Sequence, residues 1–135
     1  MAPNVVRGLV MLTRMDHVAL HVENVAAALQ FYTEVLGFRQ VHAGAGTGGQ
    51  PIAYVKLGES MMIELTTRPG GEAMSGYHLG FECDDLSMTH HQLMEAGLET
   101  IIAPRPTTPR GKHQIGWRRA VLKGPHGEQI EIKGP

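Results

Sequence analysis

Two histidines and two glutamates recur at matching places in the two halves of this 135-residue sequence. The stretch HVALHVENV (17–25) aligns with HLGFECDDL (78–86), and the tripeptide IEL (63–65) matches IEI (130–132). The repeated residues are His17, Glu64, His78 and Glu131. Two imidazoles and two carboxylates leave two positions of an octahedral ion open, unlike the closed sites of structural zinc. The pattern predicts one open site for a divalent ion (Ni, Co, Mn, Fe or Zn).

Alternation along the strands predicts that these four side chains share a polar surface. In residues 15–22 the apolar Val18 and Leu20 occupy one face and His17 the other. The same alternation separates His78, Glu64 and Glu131 from their apolar neighbours. If the apolar faces pack against two helices, the four residues lie on the concave side of the sheets. A lone histidine or glutamate of this kind is usually solvated surface, but the symmetric set favours a shared metal site.

Each half predicts a strand, a helix and three further strands, which makes an α+β fold of two βαβββ modules. In the first module we expect a strand over 15–22, a helix from the N-cap Asn24 to Gly37, and strands over 38–43, 51–57 and 60–66. In the second we expect a strand over 77–83, a helix over 86–96 capped by Asp84 or Asp85, and strands over 98–102, 115–122 and 129–133.

The domain organisation follows from the repeat. Residues 1–14 are expected to be an N-terminal extension, with Met11 as an alternative start, and residues 15–135 a single domain. Module one covers about 15–67 and module two about 77–133, joined through residues 68–76.

Composition narrows the functional classes. A net charge of −1 gives no basic surface for nucleic acid or an anionic membrane. No apolar run approaches the roughly 20 residues of a membrane span, and the first residues lack a secretory signal pattern. The single cysteine, Cys83, cannot form an intramolecular disulfide, which favours the cytoplasm.

A basic stretch lies in the proline-rich loop 104–116 and the strand after it. Its side chains are Arg105, Arg110, Lys112, His113, Arg118 and Arg119. A solvated basic edge is the ordinary interpretation. The alternative is a mobile lid whose Arg110 and Lys112 meet a small anionic substrate, with Trp117 and Tyr54 forming an apolar wall.

Four segments resemble the vicinal oxygen chelate superfamily: MDHVALHVENVAAALQFYTEVLGF (15–38), IEL (63–65), YHLGFECDD (77–85) and GPHGEQIEI (124–132). That superfamily includes glyoxalase I, methylmalonyl-CoA epimerase, extradiol dioxygenases, and the fosfomycin and bleomycin resistance proteins. The likeness covers about residues 14–133, and the ligand pattern is most similar to glyoxalase I. Glutathione-using members carry an arginine at the position of His21 and an asparagine at that of Arg68, so the use of glutathione stays open.

The resemblance implies a cupped, partly closed sheet, a divalent ion held by the four repeated residues, and a homodimer whose sites combine residues of both chains. It implies a metal-dependent lyase or isomerase, similar to lactoylglutathione lyase, whose small substrate chelates the metal through adjacent oxygens. The metal would polarise a carbonyl and stabilise an enediolate, with Glu131 as base and Glu64 as its counterpart. The alternatives are an epimerase like methylmalonyl-CoA epimerase, a metal-dependent dioxygenase, or a non-catalytic drug- or metabolite-binding resistance protein.

Overall fold

The computed structural model describes residues 14–46, 48–67 and 78–135. The strands are β1 (His17–His21), β2 (Arg39–Ala45), β3 (Pro51–Lys56), β4 (Met62–Thr66), β5 (His78–Glu82), β6 (Glu99–Pro106), β7 (Arg118–Lys123) and β8 (Gln129–Gly134). A helix follows β1 and another follows β5, so the predicted α+β fold of two βαβββ modules is confirmed. Most of the predicted N-terminal extension, including Met11, and the segment 68–76 lie outside the described residues.

Each module forms its own four-stranded sheet. The strand order is β1-β4-β3-β2 in the first and β5-β8-β7-β6 in the second. In each sheet the first strand runs parallel to the last strand of its module, and the other pairings are antiparallel. The two sheets are not closed into a barrel.

Both helices begin at a side-chain cap. Helix α1 (Val25–Gln30) starts at Asn24, as predicted, and continues as a π-helical turn over Phe31–Val35. Helix α2 (Leu86–Glu95) starts at Asp85, which identifies this residue, and not Asp84, as its cap. Each cap accepts a hydrogen bond from a backbone N–H of the first turn, which satisfies a donor that the helix leaves free.

The two modules share one hydrophobic core, and the helices pack on its side of the sheets. Phe38 of the first module meets Phe81 of the second edge-to-face, with ring centroids 5.9 Å apart. Tyr32 Oη donates to the buried Glu128 carboxylate at 3.3 Å, and burial beside this carboxylate raises the pKa of Tyr32. Because the apolar faces of both sheets turn towards this core, their polar faces turn away from it.

The region after α2 departs from the sequence prediction. Strand β6 continues to Pro106, whereas a loop was predicted from residue 104, and β7 begins at Arg118 and not at Ile115. β6 is an edge strand, so a proline there need not donate to a neighbouring strand. A register shift between Ile102 and Arg105 accommodates Pro104. The loop itself spans residues 107–117 and contains a single 3₁₀ turn at Lys112–Gln114.

Candidate metal centre

His17 and Glu64 meet on the polar face of the first sheet. In the parallel pairing of β1 with β4, Ala19 lies opposite Glu64, and His17 is two residues earlier on the same face. His17 Nε2 lies 3.2 Å from Glu64 Oε2. The histidine side chain is 40% exposed and the glutamate 15%, so the pair sits at a partly accessible position.

Asp16 orients this histidine. Its Oδ2 lies 2.9 Å from His17 Nδ1, and this hydrogen bond lowers the pKa of Asp16. A second carboxylate on the far ring nitrogen is the usual support of a metal-binding histidine, since it fixes the tautomer. In the tautomer that donates from Nδ1 to Asp16, Nε2 directs a lone pair towards Glu64. A metal ion between Nε2 and Glu64 Oε2 would then be bound by both groups.

Tyr54 forms a wall beside the pair. It lies directly opposite Glu64 in the β3–β4 pairing, and its ring centroid is 6.1 Å from that of His17. Desolvation and the Glu64 carboxylate raise the pKa of the Tyr54 hydroxyl. Of the two aromatic residues predicted to line a pocket wall, Tyr54 is therefore the one in contact with the first half of the site.

The second sheet repeats the backbone geometry with different side-chain partners. Gly80 lies opposite Glu131 in the parallel β5–β8 pairing, and His78 is two residues earlier, which reproduces the offset of the first sheet. His78 is exposed. Glu131 Oε2 lies 3.3 Å from Arg119 Nη2, so a guanidinium now occupies the partner position that the histidine takes in the first sheet.

The structure does not bring all four predicted ligands together in one chain. Among residues 14–46, 48–67 and 78–135, no three side chains of His, Cys, Asp or Glu are grouped closely enough to hold a metal ion. Each sheet of a single chain thus carries half of the predicted set.

The loop 107–117 packs at the end of the second sheet. Gln114 is buried, and its Nε2 donates to Glu82 Oε1 at 3.2 Å, the same oxygen that His113 contacts at 3.2 Å. Trp117 stacks edge-on against His113 with ring centroids 5.3 Å apart. Arg110 and Lys112, predicted to bind substrate, are both exposed on this loop.

Sequence reasoning missed Asp16 and the particular role of Arg119. The signal for Asp16 was its position directly before a candidate ligand, where a carboxylate can reach the histidine ring. Strand alternation could have indicated Arg119, because it lies two residues before Val121, which pairs with Glu131. Arg119 is therefore on the same face of the sheet as Glu131. His21, at a position where glutathione-using members have arginine, is exposed on the same face as His17; Arg68 lies outside the described residues.

The comparisons with known proteins agree with this architecture. A model of the Glyoxalase/Bleomycin resistance protein/Dioxygenase superfamily matches residues 14–132. The chain belongs to this superfamily. The resemblance found in the sequence is thereby confirmed, and with it the membership of a superfamily that contains many enzymes.

Among curated relatives, the uncharacterized protein PA2024 of Pseudomonas aeruginosa is 32% identical over 87% of this chain and 86% of its own length. Among solved structures, a superfamily member from Sphaerobacter thermophilus has a TM-score of 0.75 at 19% identity, covering 93% of this chain and all of that one. TnmS3, an antibiotic binding protein from a Streptomyces species, has a TM-score of 0.70 at 22% identity, covering 93% and 98%. At these identities the solved structures show the shared fold alone.

None of the helices in the described part of the chain has the length and apolar character needed to cross a membrane.

Proposed function

We propose that this protein is a metal-dependent lyase or isomerase of glyoxalase I type, acting on a small substrate that chelates the metal through two adjacent oxygens. The observation that carries the proposal is the contact of 3.2 Å between His17 Nε2 and Glu64 Oε2. It joins two residues that the sequence repeat duplicates at His78 and Glu131.

The spacing of this pair fits a divalent ion. With metal–ligand bonds of about 2.1 Å, neighbouring ligand atoms lie about 3.0 Å apart in an octahedron and about 3.4 Å apart in a tetrahedron. The Asp16 carboxylate on His17 Nδ1 supplies the outer support that such a ligand needs. His17, Glu64, His78 and Glu131 would hold the ion, and nickel, cobalt, zinc, manganese and iron all accept this donor set.

The complete site is proposed to form between two copies of the chain. The polar faces of the two sheets turn away from the common core, so His17 and Glu64 of one copy need the second half-site of another. The strands β1 and β5, which carry the two histidines, are both at the edge of their sheets. A symmetric dimer that brings β1 of each copy beside β5 of the other would assemble two equivalent sites.

The chemistry proposed for this site is proton transfer between adjacent carbons. When bound, a divalent ion would act as a Lewis acid towards two neighbouring substrate oxygens. Glu131 is the proposed base, with Glu64 in the equivalent position of the first module. Both side chains are largely shielded from water, with 16% and 15% of their surface exposed, which favours a defined position for the proton.

A second candidate is a non-catalytic protein that binds a small drug or metabolite. The fold similarity to the antibiotic binding protein TnmS3 favours it. So does an apolar cavity of about 260 Å³ between the modules, lined by Leu36, Phe81, Cys83 and Leu93 among others. The two candidates differ in whether ligand binding requires the metal-type residues.

The test measures nickel binding and solvent-deuterium incorporation in wild type, His17→Ala and His21→Ala. His21 is a matched control because it is an exposed histidine on the same strand and face. We expect one ion per site in wild type and His21→Ala, none in His17→Ala, and deuterium incorporation into one class among hemithioacetals, acyl-CoA thioesters and hydroxy acids. A wild type without metal, together with ligand binding that survives His17→Ala, would support the binding protein instead.

A further inference from the structure

Two consecutive arginines of β7 point to opposite faces of the second sheet. Arg118 Nη2 donates to Ser87 Oγ at 2.7 Å, on the side of helix α2. Arg119 Nη2 contacts Glu131 Oε2 at 3.3 Å on the polar face. Strand alternation thus separates one cation that supports the helix from one that lies beside a proposed metal ligand.

Arg119 is partly withdrawn from water beside a single carboxylate. Its side chain is 21% exposed, and in the described part of the chain Glu131 is its ion-pair partner. A nearby anion stabilises a guanidinium in such surroundings, because an unpaired charge that has lost part of its hydration has nothing to offset that cost. In this structure Glu131 is that anion.

Lys133 places a second cation next to Arg119. The two residues are direct neighbours across the β7–β8 pairing, and Lys133 is only 9% exposed. Its Nζ donates to the amide oxygen of Gln114 at 3.3 Å. Glu82, opposite Lys133 on β5, is engaged by His113 and Gln114, and the His113 contact lowers the pKa of Glu82. This end of the polar face therefore carries the cations Arg119 and Lys133 and the carboxylates Glu131 and Glu82. Glu82 is already engaged by His113 and Gln114, so Glu131 is the carboxylate that contacts Arg119.

We propose that Arg119 binds an anionic group of the substrate beside the metal. This inference rests on the proposed function, since a divalent ion that takes Glu131 as a ligand would draw the negative charge of this carboxylate away from Arg119. A carboxylate on the substrate restores the pair, and a guanidinium can hold it through two parallel hydrogen bonds. The substrate class is then a small acid that offers two adjacent oxygens to the metal and a further anionic group to Arg119.

The experiment uses two probes, glycolate and tartronate. Both chelate a metal through a hydroxyl and an adjacent carboxylate, but tartronate has a second carboxylate that stays free. Dissociation constants are measured by calorimetry on nickel-loaded wild type, Arg119→Met and Arg118→Met. The adjacent Arg118→Met variant is the matched control, because it removes the same charge from the other face of the strand.

In Arg119→Met we expect the preference for tartronate over glycolate to fall about tenfold or more, the size of a charge-assisted hydrogen bond. In Arg118→Met the preference stays at the wild-type value. Nickel alone should bind Arg119→Met more tightly than wild type, because no cation then competes for Glu131. A preference that is unchanged in Arg119→Met overturns the inference while leaving the metal site intact. A wild type that binds no nickel overturns the proposed function, and the inference falls with it.

Discussion

The two halves of the candidate site share one backbone geometry but differ in what their glutamate contacts. In each sheet the histidine is two residues before the residue opposite the glutamate. In the first, Glu64 contacts His17, which is supported by Asp16. In the second, Glu131 contacts Arg119. Both histidines are exposed.

The two modules thus keep the same backbone positions for the histidine and the glutamate, but their glutamates contact different side chains. In the first half, His17 and Glu64 face each other as two proposed ligands. In the second half, the guanidinium of Arg119 already lies beside Glu131. The proposed metal ion would therefore compete with Arg119 for the charge of Glu131, whereas no such cation contacts Glu64 in the described part of the chain except His17.

The largest difference between the two halves is expected when the proposed base, Glu131, and its counterpart, Glu64, are replaced in turn. We expect Glu131→Gln to lower the rate of solvent-deuterium exchange by about 10²- to 10⁴-fold, the usual contribution of a general base. Metal should be retained, because the amide oxygen can still act as a ligand. Glu64→Gln is the matched variant and should cost less. Undiminished exchange in Glu131→Gln would contradict its role.

A smaller effect is expected from the outer support that Asp16 gives His17 in the first half. Asp16→Ala should weaken metal binding about 10- to 100-fold, because the histidine loses the acceptor that fixes its ring. In the repeat, Tyr77 has the position equivalent to Asp16. Tyr77→Phe should therefore leave metal affinity nearly unchanged, as measured by competition with a chelator. Equal losses in the two variants would show that the halves do not differ in this respect.

The smallest effect concerns the loop 107–117, which packs against the second half through Glu82. The Glu82 pKa is lowered mainly by its hydrogen bond with His113. The charged Glu82 carboxylate therefore stabilises the folded state fully above the ordinary glutamate pKa of about 4.3. This stabilisation is lost as the pH falls through the lowered pKa of Glu82. Glu82→Gln should lower the melting temperature slightly at pH 7, and the difference should disappear once the pH is below the lowered pKa of Glu82.

Glu59→Gln is the control for this last effect, since Glu59 is a highly exposed glutamate in the first half, paired with Arg39 at 3.6 Å. A difference between wild type and Glu82→Gln that persists at low pH would contradict the assignment to the charged carboxylate.

Much of the fold followed from local sequence rules. The repeat and strand alternation predicted both βαβββ modules, and Asn24 was correctly predicted as a cap. Prolines favour a loop from residue 104, whereas β6 continues to Pro106 because an edge strand tolerates proline. The candidate site could be predicted only in part. Strand alternation determines the face on which a side chain lies, but it does not determine the position of one module relative to the other.

That relative position depends on contacts between residues far apart in the chain. Phe38 packs on Phe81, and Tyr32 bonds to Glu128 across 96 positions. No periodicity in either segment specifies such pairs. They put both helices on the shared core side and leave the half-sites facing away from it, which is why one chain groups only half of the predicted ligands.

The most direct test of the shared site mixes two variants that are each broken in a different half. His17→Ala and His78→Ala chains are denatured and refolded together, and nickel bound per chain is measured. Each variant alone should bind no metal. Random pairing puts one intact site in each mixed dimer, so the mixture should regain about a quarter of the wild-type sites. A mixture of His17→Ala with Glu64→Ala, both altered in the first half, should show no such gain over the separate variants. Absence of recovery in the His17→Ala and His78→Ala mixture would contradict a site shared between two copies.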